Sequence, residues 1–429
     1  MSEVQIIDPK RRYLACLEGI RGYGFLLVFC GHYILAGRLA SPGSLRFGFL
    51  TATSSLGLFA VPAFFVLSGY LIGGILYHTR NREGFFKVFY LRRILRVFPV
   101  YYLTLAVIAI FYLFRHIPTD SYFWIQFLYI QNLLLGHIDK TPGPAVMVHF
   151  WSLAVEEQFY LVWPLIVWCF PKKSKLIVIA SVLIVACCLV RFMAPVLSIS
   201  VRELSFFTFA RVDAVLMGVL LSLCSGTSIV KRLTPMAKWV TLAGIVGMAG
   251  IGIFKGEQWA METYAGKETW ITLANFTSLA IIMAVLEEGS LLNRLCSQKW
   301  ICVVGGLSYS LYVFHLTFRP FFLEVVPEYL THYMRISYAT LVAAFLALCT
   351  TFALSLISYR FIELPLFNLK RHIPYGAEVR GKTEEQAELE SDAVSDGIPA
   401  TAASRPIRSV YASSQVKIQA ALRSNREAS

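Results

Sequence analysis

Residues 149–168 read HFWSLAVEEQFYLVWPLIVW, a mostly apolar run whose first third carries His149, Ser152, Glu156, Glu157 and Gln158. An imidazole, a hydroxyl and two carboxylates are groups that move protons, attack carbonyls and balance charge. His149, Ser152 and Glu156 stand at i, i+3 and i+7, a single stripe along a helix. Stacked in this way they rise about 10 Å in total. They therefore cannot meet at one reacting atom, as a Ser-His-Glu triad must. They can line one wall of a polar cavity opening to the extracytoplasmic side. A plain interfacial helix end accounts for His149 and Trp151 but not for Glu156.

A second set lies in GIRGYGFLLVFCGHYILAG, where Arg21 and His32 are eleven residues apart. On a helix that is about 16 Å of rise and about 20° of rotation, so the two share a face. His32 is expected near the middle of a ~30 Å apolar core, with Arg21 at its cytoplasmic boundary. A neutral imidazole at that depth, on the face of an arginine that is costly to place there, points to function. In FYLRRILRVFPVYYL, Arg92 and Arg96 share a face and Arg93 lies beside them, in what reads as a loop before a span. Two readings stand side by side: lipid-headgroup anchoring, and a guanidinium clamp for the phosphates of a cytoplasmic ligand. Arg211 and Asp213 in FARVDAVLMG, the Ser308, Tyr312 and His315 stripe in GGLSYSLYVFH, and Glu363 in SYRFIELP add further polar groups. Together they imply a hydrated or ligand-filled interior.

The elements that must position these residues are membrane helices. Of 429 residues, 57% are hydrophobic and 15% charged, with a mean hydropathy of +0.62. A soluble chain is nearer a quarter charged. Apolar runs of spanning length recur, giving an all-α, polytopic membrane protein of about ten transmembrane helices. They are expected near 18–37, 50–77, 97–114, 149–170, 175–196, 205–224, 237–254, 269–286, 300–322 and 337–359. The connection 115–148 contains an aromatic stretch, Tyr122 to Leu135, suited to the interface. Basic residues fill every second loop, so both termini are expected in the cytoplasm. The first run, interrupted by Arg21 and His32, reads as a span and not as a cleaved signal.

Residues 1–13 form a cytoplasmic N-terminus, 14–373 the membrane domain, and 374–429 an acidic, then Ser- and Ala-rich, disordered cytoplasmic tail. The net charge of +13 fits basic cytoplasmic loops, and no basic stripe interleaved with aromatics supports nucleic-acid binding. Nine cysteines without a CxxC read as small hydrophobes in helices, and no metal site is expected.

Several separated motifs, in order, resemble acyltransferase family 3 of integral-membrane O-acyltransferases. They are LEGIRG with Arg21 before His32, FFVLSGYLI (64–72), RRILR (92–96), HFWSLAVEEQFYLVWP (149–164), the Arg211–Asp213 segment, GLSYSLYVFH (306–315) and SYRFIELP (358–365). The resemblance covers roughly residues 14–367. One departure is Glu18, where many members carry Asp; the carboxylate is kept and its reach lengthened.

The resemblance implies transfer of an acyl group, usually acetyl, from cytoplasmic acyl-coenzyme A to a hydroxyl of an extracytoplasmic sugar or surface glycan. The setting would be the inner (plasma) membrane and its lipids, with acetyl-coenzyme A as a donor substrate and no permanently bound cofactor. In this reading Arg92, Arg93 and Arg96 receive the donor's phosphates. His149, Trp151, Ser152, Arg211, Asp213, Tyr312 and His315 shape the acceptor side. His32 is the general base, an imidazole that titrates near neutrality when free. Glu18 or Glu156 orients or charge-balances it, and Arg21 stabilises an oxyanion or a coenzyme A phosphate. The expected mechanism is direct transfer without a protein acyl intermediate, with a transient acyl-enzyme on His32 or Ser152 as the alternative. A different class, a proton- or ion-coupled transporter of a sugar or anion, also uses intramembrane charges. The chain shows no internal repeat of the kind many transporters carry.

Overall fold

A computed structural model describes residues 9–34, 36–39, 44–116, 118, 121–135, 145–255, 259, 262–370 and 372–376. The expected tail lies, beyond residue 376, outside the described residues. Every long element is a helix, and the protein is an all-α, multi-pass membrane protein. The main helices are α1 (Pro9–Tyr33), α2 (Leu45–Thr79), α3 (Phe85–Phe114), α4 (Trp151–Cys169), α5 (Lys173–Phe192), α6 (Asp213–Cys224), α7 (Ser228–Phe254), α8 (Tyr264–Leu286), α9 (Lys299–Gly306), α10 (Ser308–Phe314) and α11 (Ile336–Ser358).

Among the described residues, six stretches are long and apolar enough to cross a membrane: Phe59–Thr79, Phe85–Phe114, Lys173–Phe192, Ser228–Phe254, Tyr264–Leu286 and Ile336–Lys370. The other four expected spans coincide with α1, α4, the short α6, and a helix broken between α9 and α10. Those four carry His32, Glu156, Asp213 and His315 in or beside them. In α4 the polar residues that lower the hydropathy also line the interior, whereas α6 and the α9–α10 pair fall short in length. On the outside, α3 exposes Leu103, Val107, Ile110 and Phe114, and α5 exposes Val178, Val182, Val185 and Leu189. Both are helical stripes suited to lipid contact.

Close backbone contact at glycines sets the central crossings. At Gly69 of α2 a β carbon would stand 1.8 Å from the Val215 carbonyl oxygen, and at Gly218 of α6 it would stand 1.9 Å from that of Val66. The two glycines face each other across one crossing, the small-residue packing that membrane helices use without a hydrophobic drive. α1 meets α9 in the same way, with Gly305 against the Glu18 backbone at 1.9 Å.

Three boundaries differ from expectation. α3 begins at Phe85, so RRILR lies within a helix and not in a loop. Phe85, Val88 and Phe89 are buried at i, i+3 and i+4, which gives the basic segment a packed face and carries the helix through it. The connection shrinks to 80–84 and turns on Gly84 at φ 71°. α1 ends at Tyr33, which puts His32 in its last turn. Residues 121–135 do not lie flat at a surface: Tyr122, Phe123, Gln126, Gln131 and Asn132 are buried, while Trp124, Leu128 and Leu133 point outward.

Candidate active site

Two polar stripes face each other and close like a seam. His149, Ser152 and Glu156 run down from the turn Ala145–Phe150 into α4. His315, Tyr312 and Ser308 run down α10 from its C-cap. At one end the His149 and His315 rings are 4.8 Å apart, nearly perpendicular at 78°. At the middle the Ser152 hydroxyl is 2.6 Å from Tyr312 Oη. The Tyr312 hydroxyl donates to the His149 carbonyl at 3.0 Å. His32, from the end of α1, joins the same end with its ring 5.3 Å from that of His315.

Three imidazoles from three helix ends therefore meet. His149 Nε2 donates to the Val313 carbonyl at 3.2 Å, and His315 Nδ1 donates to the Tyr312 carbonyl at 2.6 Å. Tyr33 secures the same corner by donating to the His315 carbonyl at 2.6 Å. The His32 carbonyl, left free by the helix end, accepts from Arg319 Nε at 3.3 Å. His149 and His315 are fully buried, whereas His32 is half-buried.

Below the seam lies a cleft enclosing about 850 Å³ of empty space, part of it open to solvent. Ser152 and Tyr312 form one end of its lining; Arg21, Arg93 and Arg96 form another part, with Glu156, Glu157 and Ser308 between and Phe64 and Phe65 in the wall. Arg93 stacks 3.7 Å above the Tyr160 ring, and the Tyr160 hydroxyl donates to Glu156 at 3.1 Å. Ser68 in turn hydrogen-bonds Tyr160. Arg92 is not among the lining residues. Its Nε donates to the Ile373 carbonyl at 2.9 Å, and its guanidinium lies 5.2 Å over Tyr375. The Lys370 amine also lies near Arg21, Arg92, Arg93 and Arg96.

The sequence-selected residues thus divide. His32, His149, Ser152, Tyr312 and His315 come together, while Glu156 sits with the cleft arginines. Glu18 precedes His32 by fourteen residues on one continuous helix, about 21 Å along the axis. Arg21 lines the cleft, about 16 Å below His32 along α1. Trp151, Arg211 and Asp213 form a separate group. Arg211 lies 5.5 Å over the Trp151 ring. Asp213 accepts from Arg191 at 2.7 Å and from Asn275 at 2.9 Å.

Residues missed at the sequence level complete the frame. Arg191 also donates to Glu268 at 2.6 Å, tying α5, α6 and α8 together. A lone arginine in the apolar run CCLVRF was the available signal. Gln158 donates to Asn132 at 2.8 Å and to the Tyr129 carbonyl at 2.7 Å, and accepts from Thr208. This network stitches 121–135 onto α4 beside the seam. Arg319 carried no distinguishing sequence signal, since it follows a broken helix. Among the described residues, no group of three or more His, Cys, Asp or Glu is arranged to hold a metal ion.

Residues 14–360 match the acyltransferase domain family. The peptidoglycan O-acetyltransferase OatA of Listeria monocytogenes is 26% identical over 380 residues, covering 83% of this chain and 56% of the relative. The O-acetyltransferase OatA of Staphylococcus aureus is 26% identical over 375 residues, covering 83% and 57%. The chain thus spans a little over half the length of these curated relatives. No solved structure matches it significantly.

Proposed function

Because the chain belongs to the acyltransferase domain family, we propose that it is a membrane O-acetyltransferase that moves an acetyl group from cytoplasmic acetyl-coenzyme A to a hydroxyl of an extracytoplasmic glycan. The observation that carries this reading is the shared boundary of the two sites. Ser152 and Tyr312 line the arginine cleft and also bond to each other and to the backbone of His149. A donor held in the cleft can present its thioester at that boundary, and an acceptor can reach it past the imidazoles.

Arg21, Arg93 and Arg96 bind the donor's phosphates by charge-assisted hydrogen bonds. The distance of Arg21 from His32 favours this role for it over oxyanion stabilisation. Arg92 braces the 373–376 segment, and Glu156 and Glu157 line the cleft beside the arginines. His32 takes the proton of the attacking hydroxyl as its oxygen bonds to the thioester carbonyl carbon. The C–S bond breaks on collapse of the tetrahedral intermediate, and the imidazolium returns the proton to the leaving thiolate. The products are an acetyl ester and coenzyme A, with no net proton released. The names of the relatives make a peptidoglycan-type glycan the first acceptor to try.

The test is coenzyme A release by the purified chain in nanodiscs given acetyl-coenzyme A, with and without glycan fragments. Acceptor-stimulated release with a new acetyl ester on the glycan is the expected result. A transporter would release none, and that outcome would overturn the reading.

A further inference from the structure

A short strap of chain is held beside the arginine cleft. Arg92 Nε donates to the Ile373 carbonyl at 2.9 Å, and its guanidinium lies 5.2 Å over the Tyr375 ring. The Gly376 N–H donates to the Glu83 carbonyl at 3.1 Å. A β carbon at Gly376 would stand 2.8 Å from that of Glu83, so the approach needs a glycine there. Residues 373–376 are thereby pinned to the turn 80–84 and to α3. Whatever follows Gly376 starts from that point.

Basic residues are concentrated around this strap. Residues 80–96 carry Arg80, Arg82, Lys87, Arg92, Arg93 and Arg96 against Glu83 alone. Of these, Arg93 and Arg96 line the cleft with Arg21, and a guanidinium fork fits a carboxylate as well as a phosphate. Arg96 is four residues beyond Arg92, about 6 Å along the helix. The chain itself holds a matching anion. Residues 384–392, which lie outside the described residues, read EEQAELESD, with five acidic side chains and no basic one. Glu384 is eight residues beyond Gly376, a reach of up to about 26 Å.

We propose that the cleft is also the docking surface for this acidic segment, whose carboxylates occupy Arg93 and Arg96 when no donor is bound. The segment and the donor's phosphates then compete for the same guanidiniums, and the tail is a built-in brake on donor binding. This consequence rests on the donor reading of the cleft; the contact itself does not. So short a tether gives an effective concentration in the millimolar range, roughly, so a contact too weak to join separate molecules still forms within one. Salt screens such a contact, so the brake is strongest at low ionic strength.

The test compares the full chain with a full-length variant carrying Glu384→Gln, Glu385→Gln, Glu388→Gln, Glu390→Gln and Asp392→Asn, each at one copy per nanodisc. Coenzyme A binding is measured by calorimetry. The variant is expected to bind about fivefold more tightly at low salt, and the two proteins to converge at high salt. A synthetic peptide of residues 381–393 is expected to restore the weaker binding to the variant by competition, and its neutralised counterpart to leave it unchanged. Equal affinities at low salt overturn the proposal. So does a difference seen only with two copies per disc, which places the segment on a neighbouring copy. Docking is also read without donor. A benzophenone side chain in place of Leu389 is expected to crosslink to peptides containing Arg93 or Glu156, and less so with coenzyme A present. Crosslinks confined to lipid or to other surfaces overturn the proposal. Coenzyme A bound by neither protein, with the cleft crosslinks intact, counts against the donor reading alone.

Discussion

The Ser152 hydroxyl is held between Tyr312 Oη at 2.6 Å and the His149 carbonyl at 3.2 Å, and among the described residues no imidazole nitrogen bonds to it. It is braced rather than activated, which favours direct transfer over an acyl-serine. Ser152→Ala is therefore expected to lower the acetyl-transfer rate by about fivefold, the loss of roughly one hydrogen bond. A loss of a thousandfold, with quench-flow showing no acyl-enzyme left to trap, would instead mark Ser152 as the nucleophile. His32→Ala is expected to cost about a hundredfold or more with normal expression, as removal of a general base does. Each stripe was legible because helical spacing alone aligns residues at three, four and seven. That the two stripes face each other was not, because pairing between elements more than 150 residues apart leaves no local periodicity.

α3 shows how an element changes the reading of its residues. Spacing groups Arg92 with Arg96, but the helix turns Arg93 and Arg96 into the cleft and leaves Arg92 on the 373–376 segment. Arg93→Ala with Arg96→Ala is expected to weaken acetyl-coenzyme A binding by about a hundredfold in calorimetry, and Arg92→Ala by less than about threefold. Equal losses for both would return Arg92 to the donor site. The start of α3 was misread as a loop because hydropathy follows charge, whereas the buried Phe85, Val88 and Phe89 face decides the helix. The α2–α6 crossing makes an equally sharp demand. With a β carbon 1.9 Å from the Val66 carbonyl oxygen at Gly218, Gly218→Leu forces the backbones apart. Loss of the monodisperse peak in detergent gel filtration is expected, and a folded, active variant would contradict the crossing.

Across the whole molecule, the buried Arg191–Asp213 pair joins helices that carry no part of the seam. Asp213→Ala leaves Arg191 charged and under-partnered, which costs about 3–5 kcal/mol when one member of such a pair is removed. A large drop in thermal stability is expected, with acetyl-coenzyme A affinity kept in the protein that survives. The helical class and most spans were legible from apolar runs, because lipid-facing helices must be apolar along their length. The spans that build the site were placed as well, but the shortness of α6 and the break between α9 and α10 were not legible, because they depend on tertiary packing. The central claim is that donor and acceptor reach one boundary from opposite faces. The most direct test is sealed vesicles carrying the protein in one orientation, with labelled acetyl-coenzyme A supplied only on the face where α1 begins and a glycan acceptor only on the other. Labelled ester on the far side, absent with His32→Ala, is the expected result; ester formed only when both substrates share one face would contradict the account.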